Sequence, residues 1–173
     1  VPAFSTILVI RELGPVVSAL LLASRVGAGM AAELGLMRVT EQVDALKMIG
    51  VNVFGYLVFP RIIATVFGAF SCAIVSVGVA IVAGMVMASL KLGFTLGEYS
   101  NSMFSLARPN DFWVLTVKSC VFGMLIPIVS CYQGLTCEMG SRGIGKCATR
   151  SVVRSSVLII LADFVVTYFF FAR

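Results

Sequence analysis

Between Arg61 and Lys91 lie 29 consecutive residues without a charge. No other feature restricts the fold of this chain so strongly. A helix crossing a bilayer needs ~20 apolar residues, so Ile62–Leu90 is long enough to cross with tilt. The rest of the chain has the same character. Hydrophobic residues make up 60%, charged residues 12%, and mean hydropathy is +1.05. A soluble domain of 173 residues leaves too much surface in water to hide that much apolar area. A soluble globular domain, a disordered chain and a coiled coil are excluded, and an integral membrane protein remains.

Further spans follow from the gaps between charges. Nineteen uncharged residues separate Lys118 from Glu138, and Ser155–Ala172 is interrupted only by Asp163. Val1–Ser24 is a fourth apolar region, broken by Arg11-Glu12 and Gly14-Pro15. It is expected to continue past Arg25 with a local kink near Pro15. The predicted fold class is an all-α integral membrane protein, with about four transmembrane helices in a single domain over 1–173. Basic residues concentrate in alternate loops: Arg25, Arg38, Lys47 and Arg61 in one, Arg142, Lys146, Arg150 and Arg154 in another. The positive-inside rule places both in the cytoplasm, with the Lys91–Asp111 loop and the C-terminus opposite. Val1-Pro2-Ala3-Phe4 has no initiator Met and no signal-peptide pattern, so the chain is expected to begin partway through a longer protein.

Several chemistries find no support. There is no histidine, the usual general base and metal ligand near neutral pH. Cys72, Cys120, Cys131, Cys137 and Cys147 show no Cys-x-x-Cys spacing and read as small buried or reduced residues, with no metal site. The net charge of +5 reads as loop charge that orients the protein, not as a nucleic-acid surface. Gly140–Cys147 nearly spells a phosphate-binding loop, but Cys147 stands where a Mg²⁺-binding hydroxyl is needed, and an apolar span precedes it where a strand should be. A glycine-rich cytoplasmic turn is the better expectation.

Two patterns concern contacts. Ala64, Gly68, Cys72, Ser76, Ala80, Gly84 and Ala88 recur at a spacing of four, which lets another helix approach closely, from this chain or another copy. In Glu33–Gly50, the residues Leu36, Val39, Val43 and Leu46 share one helical face, with Arg38, Glu41, Asp44 and Lys47 elsewhere around it. This predicts one short amphipathic helix, lying on the membrane surface or docking a soluble partner.

Arg11, Glu12, Lys118 and Asp163 sit in or at the edges of spans. A charge in hydrocarbon costs at least ~2.5–3.5 kcal/mol, so such residues usually face a polar interior and mark a pathway. Structural pairing between helices, with Lys118 and Arg11 neutralising Asp163 and Glu12, or snorkelling of Lys118 at the interface, is the alternative. No nucleophile–base pair accompanies them, which argues against an enzyme. A secondary transporter or channel for an amphipathic substrate stays open.

The motifs Arg11-Glu12-Leu13-Gly14-Pro15-Val16-Val17, Ala31–Met37, Val39–Leu46, Pro60-Arg61 and Ala148–Ser156 followed by Asp163-Phe164 resemble the MlaE/YrbE-type permeases of the MCE-associated ABC lipid transporters, with plant chloroplast-envelope relatives. The resemblance covers essentially the whole chain. Val53 departs from it, where a proline is usual. It implies a homodimeric permease of the bacterial inner membrane, or of the chloroplast inner envelope in a plant. It also implies a further span upstream and phospholipid moved between inner and outer membranes. ATP-Mg would be hydrolysed on a separate cytoplasmic ATPase, with no cofactor on this chain. A ring of MCE-domain proteins would stand on the outer face, with a small STAS-domain partner on the ATPase. Glu33–Gly50 takes the place of the coupling helix, with Glu33, Gly35, Arg38, Thr40, Glu41, Gln42, Asp44 and Leu46 as contact residues.

Overall fold

Four helices in the computed structural model, which describes residues 8–92, 97, 109–138 and 140–171, are long and apolar enough to cross a membrane. The opening Val1-Pro2-Ala3-Phe4 and most of the Lys91–Asp111 loop lie outside the described residues. No strand occurs among the described residues.

The first span, α1, runs Val9–Val39. Gly14-Pro15 does not interrupt it. The irregularity takes the form of wider π turns at Val9–Leu13 and again at Ala23–Gly27. Pro15 brings no N–H, so the Arg11 carbonyl four residues earlier lacks its usual donor. The helix continues past Arg25, as expected. Arg25 lies inside it and does not open a cytoplasmic loop, because Val26–Ala32 contains neither a charge nor a proline to stop it.

The predicted single helix over Glu33–Gly50 is two pieces. Glu33–Val39 is the last part of α1. Glu41 adopts a left-handed conformation (φ +59°), and α2 then runs Gln42–Met48. The break rotates the second piece, so the face of Leu36, Val39, Val43 and Leu46 never forms. Leu36 is exposed, while Leu34 and Val43 are buried. Gly50 leaves α2 with φ +81°, which favours glycine.

A wide turn at Phe54–Val58 leads into α3, Phe59–Leu92. The Asn52 side chain accepts the Phe54 N–H at 3.1 Å, and Pro60 occupies the first turn, where its missing N–H is harmless. The third span, α4, is Pro109–Leu135, with a proline at its start. It begins nine residues before Lys118, so Lys118 lies about 13 Å into the helix and not at its end. The last span, α5, is Ser141–Phe171. The expected glycine-rich turn over Gly140–Cys147 does not form, because the helix already starts at Ser141 and Gly143–Cys147 is helical. A Cβ at Gly143 would fall 2.1 Å from the Glu138 carbonyl oxygen, so only glycine fits this tight entry.

Close approaches centre on α4. A Cβ at Gly123 would come within 2.8 Å of the Val66 backbone on α3, and one at Gly134 within 2.6 Å of the Leu34 Cβ on α1. Ala19, Leu22 and Ala23 of α1, Ala69 of α3, Phe122 and Ile126 of α4, and Ile159 of α5 meet in the core. Helix α3 turns Thr65, Ala69, Ala73 and Val77 inward. The spacing-of-four row lies beside that seam: Ala64 and Cys72 are exposed, nothing stands within 4 Å of a Cβ at Gly68, Ser76, Ala80 and Gly84 are half-buried, and Ala88 is buried. Large apolar side chains such as Phe67, Val79, Leu90, Phe164 and Phe169 face outward, where a lipid environment accepts them.

Candidate functional site

Three of the four ionisable residues picked out in the spans, Glu12, Lys118 and Asp163, converge. Lys118 is fully buried. Its ammonium donates to Glu12 Oε2 at 2.8 Å and to the Arg11 carbonyl at 3.0 Å, the oxygen that Pro15 leaves without a donor. It also lies 2.7 Å from Asp163 Oδ1, a charge contact whose angle is not that of a hydrogen bond. Thr167 donates to the other Glu12 oxygen at 3.2 Å. Three spans thus supply one site: α1 through Glu12, α4 through Lys118 and α5 through Asp163. Snorkelling does not describe Lys118, because its Nζ is enclosed by these partners.

Arg11 is engaged elsewhere. Its guanidinium reaches Asp111 Oδ1 at 2.7 Å from Nε and 2.6 Å from the second terminal nitrogen. The charge pattern puts Asp111 at the end of an outward loop; the structure buries it in the first turn of α4. The signal was present in Pro109-Asn110-Asp111, since proline opens helices and an acid in the first turn suits the helix dipole. Removing an ammonium from water is expensive unless charges and hydrogen bonds replace the lost solvent. Glu12 and Asp163 do this for Lys118, and their side chains keep part of their surface open, at 32% and 20%.

The residues expected at a coupling contact divide into two groups. Glu33 pairs with Arg61 at 2.9 Å, tying α1 to α3. Gly35 is buried against Cys137, Arg38 donates to the Leu135 carbonyl at the end of α4, Thr40 donates to the Leu36 carbonyl at 2.9 Å, and Leu46 packs against the core below α1. Gly35, Arg38 and Leu46 hold the chain's own structure, whereas Glu33 and Thr40 make their contacts while remaining exposed. Glu41, Gln42 and Asp44 are exposed. Asp44 meets Lys47 at 2.8 Å, and that hydrogen bond and charge hold its carboxyl below the usual range. A cleft of about 600 Å³ beside α2 is lined by Arg38, Asp44, Lys47 and Phe54.

Cys137 and Cys147 are both buried. Burial, reinforced by the neighbouring Cys147 thiol, pushes Cys137 up to about 11. No group of three His, Cys, Asp or Glu side chains able to hold a metal occurs among the described residues.

Four helices long and apolar enough to cross a membrane, three of them meeting at a buried lysine and two carboxylates, define a polytopic α-helical membrane protein with charges packed between its spans. The family model described as "Permease MlaE" matches residues 1–169, and the chain belongs to this permease family. It is 41% identical to a probable ABC transporter permease protein of Rickettsia bellii, over 93% of this chain and 62% of that one. It is 37% identical to a probable ABC transporter permease protein of Synechocystis, over 93% and 61%. It is also 36% identical to the chloroplastic protein Trigalactosyldiacylglycerol 1 of Arabidopsis thaliana, over 93% and 46%. The chain therefore spans about three fifths or less of these relatives.

Proposed function

We propose that the chain is the membrane-spanning part of an ABC transporter that moves phospholipid between an inner and an outer membrane. The observation that carries this reading is Lys118, buried between carboxylates from two other spans. A phospholipid joins a charged head to two apolar tails, and its route needs a few polar groups inside an apolar surround. Arg11, Glu12, Lys118 and Asp163 supply them. The two cations already have carboxylate partners, so the open edges of Glu12 and Asp163 are the groups that would meet an amine headgroup. The relatives named as ABC transporter permeases, and the one named for a galactolipid, support the same reading.

ATP-Mg would then be bound and hydrolysed on a separate cytoplasmic ATPase seated against Glu41, Gln42 and Asp44. Two copies of the permease would form the transport unit, with an MCE-domain ring outside and a STAS-domain protein on the ATPase. The membrane would be the bacterial inner membrane, or the chloroplast inner envelope in a plant.

The test is transport by the full-length protein with its ATPase in liposomes. Glu12→Gln keeps the side-chain shape and removes the charge. It should lower phospholipid transfer by about tenfold, the value of one charge-assisted hydrogen bond, while the complex still assembles. A photocrosslinker at position 12 should capture phospholipid. Wild-type transfer with no captured lipid would overturn the reading.

A further inference from the structure

A groove of about 750 Å³ runs between α1 and α3 on the outside of the bundle. Its walls are mainly apolar, with Leu21 and Leu22 on one side and Val75 and Val79 on the other. Arg25 and Ser71 stand at one end. Arg25 is exposed and makes no ion pair or side-chain hydrogen bond with the described residues. This contrasts with Arg11 and Lys118, whose charges are met by Asp111, Glu12 and Asp163. A cation left open inside an apolar groove attracts an amphipathic anion.

The depth fits one occupant. The Glu33–Arg61 pair lies toward the end of the bundle that the basic residues assign to the cytoplasm. Arg25 is eight residues outward from Glu33, about 12 Å along α1. Its long side chain can carry the guanidinium toward the cytoplasmic headgroup layer while its stem lies on apolar surface. From Arg25 the groove continues outward to Ser18, about 10 Å further along the helix. An anionic head at Arg25 therefore leaves an acyl chain pointing to the bilayer midplane, the orientation of a cytoplasmic-leaflet lipid. A second copy docked symmetrically on this face would instead set two Arg25 cations at one interface.

We propose that the groove between α1 and α3 binds a phospholipid of the cytoplasmic leaflet, with its phosphate on Arg25 and an acyl chain along Leu21, Val75 and Val79. The proposal rests on the lipid-transport reading for its purpose, since it would be a loading site ahead of the Lys118 cluster. The contact itself needs only the groove and the cation.

The test uses the full-length protein in nanodiscs of phosphatidylethanolamine and phosphatidylglycerol, with a photocrosslinker at position 79. Mass spectrometry should show a phospholipid adduct in the otherwise unaltered protein. Doping the discs with a diacylglycerol of the same chains should give little adduct of that lipid, because it has no phosphate. Arg25→Gln should reduce phospholipid capture roughly tenfold and Arg25→Lys much less, as expected for one charge-assisted contact. Equal capture of diacylglycerol, undiminished capture by Arg25→Gln, or an adduct to a protein helix would overturn the site. Transport measured on the same preparations separates the two ideas. Capture without ATP-driven transfer sinks the transport reading and leaves the site; transfer without capture does the reverse.

Discussion

At the scale of single residues, Lys118 sets the terms. One ammonium is shared by two carboxylates and a carbonyl, all from other parts of the chain or other helices. Taking the cation away leaves Glu12 and Asp163 facing each other without compensation, which costs about 3–5 kcal/mol for a broken buried pair. Lys118→Met should therefore lower thermal stability in detergent sharply. The triple variant Glu12→Gln, Lys118→Met, Asp163→Asn removes all three charges and should recover most of that loss. If the single and triple variants melt together near the parent, the cluster carries no structural weight. The four members were legible as charges in apolar runs, and so was the neutralisation of Asp163 by Lys118; that Arg11 turns to Asp111 and leaves Glu12 to Lys118 was not. Asp111, the partner of Arg11, reads as loop in the sequence because no charge gap marks the start of α4; only the proline at 109 does.

At the scale of elements, the segment after α1 shows how one residue redirects a helix. Glu41 in the left-handed region ends the long span and starts α2 in a new direction. Gly35, Arg38 and Leu46 are turned to the chain's own contacts, which leaves the exposed Glu33, Thr40, Glu41, Gln42 and Asp44 for a partner. Reversing Glu41 and Asp44 to lysine should then abolish ATPase binding while membrane insertion and melting stay near the parent, since exposed substitutions usually change stability by no more than about 0.5 kcal/mol. Co-purification of the two subunits reads this directly. Full retention of the ATPase would place the docking surface elsewhere.

At the scale of the whole molecule, α4 is the post against which α1, α3 and α5 pack, and glycine permits its closest approaches. Gly134→Val drives a branched side chain into Leu34 and the Ala31 carbonyl, where overpacking costs about 1–3 kcal/mol. Gly68→Leu meets open space and should leave the melting of the isolated chain within about 0.5 kcal/mol of the parent. Equal losses for the two would show that the row through Gly68 is a packed seam after all.

The sequence by itself determined that this chain is helical and crosses a membrane, because hydrocarbon accepts only backbones that satisfy their own hydrogen bonds, and long uncharged runs announce that solvent directly. It also held the motifs of the family. Only the tertiary structure decided that Arg11 pairs with Asp111 while Lys118 takes both Glu12 and Asp163, that α3 packs through Thr65, Ala69 and Ala73 beside the small-residue row, and that Arg25 stands in a groove within a span. Those outcomes depend on the rotation and depth of each helix against its neighbours. A helix in lipid is apolar on nearly every side, so its sequence carries little of the inside–outside contrast that fixes rotation in water.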